Sequence, residues 1–344
     1  MIIDMHAHFT PRGLLAAAAD DRPWYGWRFL MDASGKQYIS LGERVLPFTG
    51  GESTLEDPGE RNQARRAEQG ITMEALVLGA RYWNQHLDPD TASTYCREVN
   101  QELAEVQNAY PDSYRGMAIL PHQDERLALK ELEHATAHLG LGVVVVPTHF
   151  RGRNLDDPSM VVVLEEAARL GVPVAVHPTR WDTIGHERLP RHFFWNSFGA
   201  PLESSLALMS LTYSGLLDRF PDFRVMFTQG GGWVHYGIGR FTLRYDQRED
   251  ARVTEDRPDE YLRRAYYDCL IHDDASLRFL LDRVGSTQVF VGTDYTAGGD
   301  IPGGAANWIK SLNAIDETER ESILWRNAAR FLGLGVLSDE PDRL

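Results

Sequence analysis

The residues best suited to chemistry come first in the chain. Met1-Ile2-Ile3-Asp4-Met5-His6-Ala7-His8 reads as a short apolar strand carrying two histidines one residue apart. On an extended strand, residues i and i+2 face the same side. His6 and His8 can therefore offer two imidazoles to one ion. The strand would pack without either histidine, so a third and fourth ligand from later strands must decide the matter.

Those later strands end in the right residue types. His149 follows the run through Val146, and His177 closes Val172-Pro173-Val174-Ala175-Val176-His177. Tyr266-Tyr267-Asp268 leads to His272, and Asp294 lies in Val291-Gly292-Thr293-Asp294-Tyr295. Three histidines and one aspartate, His6, His8, His177 and Asp294, make a nitrogen/oxygen set of the kind that holds a divalent ion and leaves a position open for substrate. Asp4 reads as an orienting or capping group, and His149 as an orienting donor or a substrate contact. His122 reads as a loop residue; His86, His134, His138 and His192 read as surface or helix positions. His186 is loop-borne and undecided.

Strand-then-helix units recur behind these residues. Apolar runs at 75–78, 117–121, 142–147, 172–177, 224–227 and 289–292 alternate with helical patterns at 93–109, 125–139, 158–171 and 203–220. In the last of these, Leu206, Met209, Tyr213, Leu216, Leu217 and Phe220 share a face. Asp157-Pro158 is a helix start and Gly140 a helix stop. The βα alternation predicts a parallel sheet, and at this length a (β/α)8 barrel is favoured, with catalytic groups at the carboxyl ends of its strands. Residues 22–55 break the rhythm with Trp24, Trp27, Phe29 and Tyr38, and with Ser34-Gly35 as a hairpin turn. They predict a small β insertion forming a flap over the barrel mouth. The expected organisation is one barrel domain over 1–334, followed by a polar tail at 335–344.

Composition narrows the function classes. A net charge of −15 argues against nucleic acid and anionic membrane as partners, although a local arginine cluster can reverse the field inside one cleft. No run of about 18 apolar residues suggests a membrane span. The start of the chain lacks a signal-peptide pattern. Two cysteines, Cys96 and Cys269, make neither a disulfide framework nor a cysteine zinc site. A reducing cytoplasm is the expected compartment.

With these residues in place the chain resembles the amidohydrolase superfamily, in the branch typified by aminocarboxymuconate-semialdehyde decarboxylase. The resemblance runs from residue 1 to about 333. It is carried by Ile3-Asp4-Met5-His6-Ala7-His8, Cys96-Arg97-Glu98-Val99-Asn100, Tyr110-Pro111, Ala118-Ile119-Leu120-Pro121, Pro147-Thr148-His149 and Val176-His177-Pro178. Gly230-Gly231-Gly232, Gly239-Arg240, Tyr267-Asp268-Cys269 with His272, and Gly292-Thr293-Asp294-Tyr295 complete it. It implies a barrel with one divalent ion, Zn²⁺ first and Mn²⁺ second, held by His6, His8, His177 and Asp294. It also implies a homodimer, in which Arg240 matches an arginine that meets the substrate carboxylate. Asp294 would double as ligand and proton shuttle. Trp181, Phe193, Phe194 and Trp195 are candidates to wall a substrate ring.

One departure matters. Members of this branch usually carry a histidine directly before the triple glycine, acting as general base toward water; here the residue is Gln229. An amide donates and accepts hydrogen bonds but takes no proton near pH 7. The base is relocated to His235, His272 or His149; or the reaction needs none, because the substrate reaches the metal through its own hydroxyl and carboxylate; or the protein is a noncatalytic metal-binding relative. The leading expectation is a nonoxidative decarboxylase of a small aromatic or unsaturated carboxylic acid. The alternative is a hydrolase or hydratase of the same superfamily.

Overall fold

The computed structural model describes residues 1–47, 63–180, 182–295 and 300–335. Eleven strands occur among them: β1 (Ile3–Phe9), β2 (Trp27–Met31), β3 (Gln37–Leu41), β4 (Arg44–Pro47), β5 (Met73–Leu78), β6 (Tyr114–Ile119), β7 (Val143–Pro147), β8 (Val174–His177), β9 (Val225–Phe227), β10 (Tyr266–Asp268) and β11 (Val289–Phe290). Eight form one sheet in the order β1-β5-β6-β7-β8-β9-β10-β11, and each paired neighbour in it runs parallel. Backbone bonds close the ring where β11 runs out: Met5 donates to Val291 (2.8 Å) and Asp294 to His6 (2.8 Å). The result is the expected (β/α)8 barrel. Every residue of β7 is buried, as its unbroken β-branched run requires for a strand covered on both faces.

The helices begin where capping chemistry places them. Asp157 accepts from the Ser159 amide with Pro158 at the first helical position, and Asp88 does the same for Thr91 ahead of Pro89. The helical reading of 203–220 needs correction. One helix spans Ala200–Tyr213, and a second short one starts at Leu216. Ser214 divides them, its hydroxyl donating to Leu211 O (2.6 Å) and accepting from Leu216 N (3.2 Å). Such local bonds compete with helix continuation.

The 22–55 insertion is β-structured where it is described. β2, β3 and β4 make two antiparallel hairpins, the first turning at Ser34-Gly35 over the Asp32 carboxylate, which accepts from the Ser34 and Lys36 amides. Arg44 reaches Asp182 in the segment after β8 (3.2 Å). A cavity of about 610 Å³ separates the hairpin tip from Trp83, Gln85 and Arg151, which follow β5 and β7. The tip of the sheet therefore lies beside the segments that follow β5, β7 and β8. Positions 48–55 of the insertion and 336–344 of the tail lie outside the described residues.

Candidate metal centre

β1 does not run as a uniform strand. Asp4 faces Glu74 but Ala7 faces Leu76, so Met5 and His6 together oppose Ala75. This bulge re-aims the strand next to the site. The amide of His6 turns to the Asp4 carboxylate (3.0 Å), while its carbonyl accepts from Thr293 and Asp294 at the end of β11. Asp4 is fully buried and also accepts from the Thr293 amide (3.1 Å) and hydroxyl (2.6 Å). Its role is to pin β1 to the segment that carries Asp294. Burial pushes its carboxyl up to about 7, with Arg65 opposing.

His6, His8, His177 and Asp294 converge, all buried, with one potential ligand atom from each lying within 4.8 Å of every other. The three imidazoles stand mutually edge-on, with centroids 4.9–5.1 Å apart. His6 Nδ1 lies 2.8 Å from Asp268 Oδ2, and His177 Nδ1 2.7 Å from Pro178 O. Each Nδ1 must therefore carry a proton, which leaves Nε2 as the lone pair of each ring in its neutral, ligating form. Those two Nε2 atoms are 3.0 Å apart. Two lone pairs at that distance repel, and a cation between them removes the repulsion. Short of a metal ion a proton can do so, since burial lowers the His6 imidazole but the Asp268 bond and the charges of Asp294, Asp268 and Asp4 override it and raise it. His8 Nε2 and Asp294 Oδ1 complete the group at 2.7 Å. The donor set fits a divalent ion. Burial lowers the His8 and His177 imidazoles below the ordinary range, favouring the neutral forms that ligate. Burial would raise Asp294, but the His8 bond and the three rings override it and hold the carboxyl down at about 2.

Asp268 was not singled out in the sequence, yet it organises the centre. One oxygen holds the His6 ring; the other accepts from the Gly230 (2.9 Å) and Leu270 (3.2 Å) amides. Carboxylates in this position fix the tautomer and angle of a ligating histidine. Its place at the end of β10 was the available signal. Gly292 is required beside it, since a Cβ there would come within 2.9 Å of Asp268 Cβ and 3.0 Å of His6 Cβ.

The expected site residues divide into two groups. Asp294, Gln229 and His272 line one cavity of about 410 Å³, with Asn196, Ser197, Pro201, Trp233, Leu270 and Ile271 among its walls. All three have positive φ (52°, 56° and 62°), a conformation that costs about 1–3 kcal/mol in a non-glycine residue and concentrates at functional sites. Arg240 is not among the residues lining this cavity. It is exposed on the helix Val234–Gln247, one turn from exposed Tyr236 and Leu243. His149 is buried at the end of β7, with Nδ1 accepting from the Gly152 amide (3.2 Å) and Nε2 3.9 Å from Glu203. It stands outside the four-residue group. His235 bonds Gly230 O (2.8 Å), and burial pulls its imidazole down to about 4. The expected aromatic wall is displaced: Phe193 and Phe194 are about half exposed, and Trp195 stacks under the Arg180 guanidinium (3.8 Å). Asn196 and Ser197, which follow it, line the cavity instead. Trp181 lies outside the described residues. His122, read as a loop residue, is in a loop but buried.

Residues 3–334 match the family model described as amidohydrolase, and the chain belongs to that family. The 2-amino-3-carboxymuconate-6-semialdehyde decarboxylase of Dictyostelium discoideum is 31% identical over 342 residues, covering 96% of this chain and 91% of the relative. A 2-keto-4-carboxy-3-hexenedioate hydratase of Sphingobium sp. is 24% identical over 349 residues, covering 96% and 95%. Among solved structures, a dihydroxybenzoic acid decarboxylase of Polaromonas sp., with bound manganese and the inhibitor 2-nitroresorcinol, aligns with a TM-score of 0.79 at 22% identity. That alignment covers 97% of both chains and shows the shared fold.

Proposed function

We propose that this protein is a metal-dependent, nonoxidative decarboxylase of a small aromatic or unsaturated carboxylic acid. The observation that carries this reading is the facing pair of lone pairs on His6 and His177, closed by His8 and Asp294 and opening on the cavity of Gln229 and His272. The decarboxylase relative aligned over 96% of the chain supports it. His6, His8, His177 and Asp294 would hold one divalent ion. Three imidazoles with one carboxylate suit Zn²⁺ and also accommodate Mn²⁺. When bound, the ion would anchor the substrate oxygens and stabilise the negative charge left by departing CO2.

The chain's own residues do the rest. Loss of CO2 leaves the electron pair of the broken C–C bond on carbon, and one proton must take it. Asp294, at the junction of the metal group and the cavity, is assigned to deliver that proton, and exposed His272 on the same wall to relay it from solvent. Gln229 supplies polarity without accepting a proton. Trp181 and His149 remain assigned as substrate contacts on their strand-end positions after β8 and β7.

We assign a homodimer through the outer face of the helix Val234–Gln247. Tyr236 is 91% exposed there, and Trp233 and Phe198 about half exposed. Apolar surface of this kind marks interfaces. Arg240 on that face would then be offered to the partner's substrate carboxylate. A reducing cytoplasm fits two buried free cysteines, and no helix among the described residues is long and apolar enough to cross a membrane.

The hydratase or hydrolase reading is favoured by the Sphingobium relative. It needs a proton acceptor facing water. His235 is bonded to Gly230 O and His149 Nδ1 to the Gly152 amide, so His272 on the cavity wall is assigned that role. CO2 release by metal-loaded protein across hydroxybenzoates and muconate analogues tests the primary reading.

A further inference from the structure

One helical turn holds the strand ends around the cavity. In the helix Ala200–Tyr213, Glu203 accepts from the Thr148 hydroxyl after β7 (3.2 Å) and from the Ile184 amide after β8. Ser205 accepts from the Trp233 amide (2.6 Å) just past the triple glycine. Gly232 lies so close to this turn that a Cβ would fall 1.8 Å from Pro201 O. Ser204, between these two anchors, is fully buried and donates to Gln229 Oε1 (3.2 Å).

That bond has a directional consequence. With the Ser204 hydroxyl donating to Oε1, the amide nitrogen stands at the opposite end of the group. The opposite end, Nε2 with two N–H groups, has no acceptor among the described residues, and Gln229 lines the cavity it shares with Asp294 and His272. The strained backbone at Gln229 (φ 56°) turns the side chain into this place. Asp294 is the anion on the same wall, so an incoming carboxylate needs donors opposite it.

We infer that Ser204 is a positioning residue that locks the Gln229 amide with its NH2 group toward the cavity, making Gln229 a fixed hydrogen-bond donor to an anionic oxygen of an aromatic carboxylate. The inference rests on the substrate class proposed above. It gives Gln229 a defined task in place of proton abstraction. The ligand arrives already ionised, and the amide holds it.

The test is equilibrium binding, which needs no turnover. The manganese-loaded protein is titrated calorimetrically with 2-hydroxybenzoate at pH 7.5. Ser204→Ala should weaken binding by about three- to tenfold, the worth of one oriented hydrogen bond. Ser204→Thr keeps the hydroxyl and should stay within about twofold of wild type. Gln229→Glu, of the same shape but without donors, should lose at least about tenfold, since a carboxylate then faces a carboxylate. Thermal unfolding of each variant separates this from misfolding. Unchanged affinity in folded Ser204→Ala or in Gln229→Glu overturns the assignment, as does failure of the wild type to bind. CO2 release is scored separately: intact binding pattern with no CO2 defeats the decarboxylase reading and leaves the role of Ser204 standing.

Discussion

His6 and His177 bring their Nε2 atoms to 3.0 Å while each ring already gives its Nδ1 proton away, to Asp268 and to Pro178 O. The folded chain thus confines two Nε2 atoms that only a positive charge, a metal ion or a proton on His6, reconciles. Metal binding should therefore stabilise the fold. At free metal a thousandfold above Kd the linkage is worth about 4 kcal/mol. Chelation should lower the thermal midpoint of the wild type, and His177→Ala should abolish that metal-dependent shift. An identical midpoint with and without chelator would remove the metal centre.

Asp268 tests the support beneath the ligands. Asp268→Asn can still accept from Gly230 and Leu270 through its carbonyl, but its NH2 then faces the His6 N–H. His6 must change tautomer or rotate. Metal affinity, measured by competition with a chromophoric chelator, should fall about 10–100-fold with little change in far-UV circular dichroism.

His122 is buried with neither ring nitrogen hydrogen-bonded among the described residues, and burial with nearby Arg153 pulls it down to about 3. His235 is held down at about 4. Both pKa values lie below the unfolded value near 6.5. The unfolded chain therefore binds the extra protons as pH falls. Stability is full above about pH 6.5 and declines toward pH 4, by up to about 1.4 kcal/mol per pH unit for each group. Urea unfolding of His122→Leu should show a shallower decline over this window. At pH 7.5 the variant should be at least as stable as wild type, because it removes two unsatisfied polar atoms. An unchanged pH slope would count against the buried neutral histidine.

Gln229→His supplies a proton acceptor where an amide now stands. If the substrate needs no base toward water, the variant should show unchanged or lower water-dependent turnover on lactone and alkene substrates. A rise in hydration or hydrolysis rate would instead favour the alternative chemistry.

The four centre residues were legible in the sequence because a metal demands particular atom types, and a barrel puts strand ends at one mouth. Each apolar run could be followed to the histidine or aspartate behind it. The bulge in β1 was not legible, since it goes with Thr293 and Asp294, beyond β11, bonding back to His6 across most of the chain. The two-sided grip of Asp268 and the reach of Ser204 to Gln229 arise the same way, from contacts 262 and 25 residues apart. The break at Ser214 was hidden because Leu216, Leu217 and Phe220 continue the helical spacing while a hydroxyl ends the hydrogen-bond ladder. Arg240 lies on an exposed helix face and not in the lining of the cavity, a separation that spacing along the chain does not reveal.

The central claim is decarboxylation at this centre. Metal-loaded protein is incubated with carboxyl-¹³C-labelled hydroxybenzoates and muconate analogues, and ¹³CO2 is measured by mass spectrometry with and without chelator. The account predicts ¹³CO2 from at least one acid, lost on chelation and in His177→Ala. No ¹³CO2 above buffer from any acid by fully metal-loaded protein would contradict it.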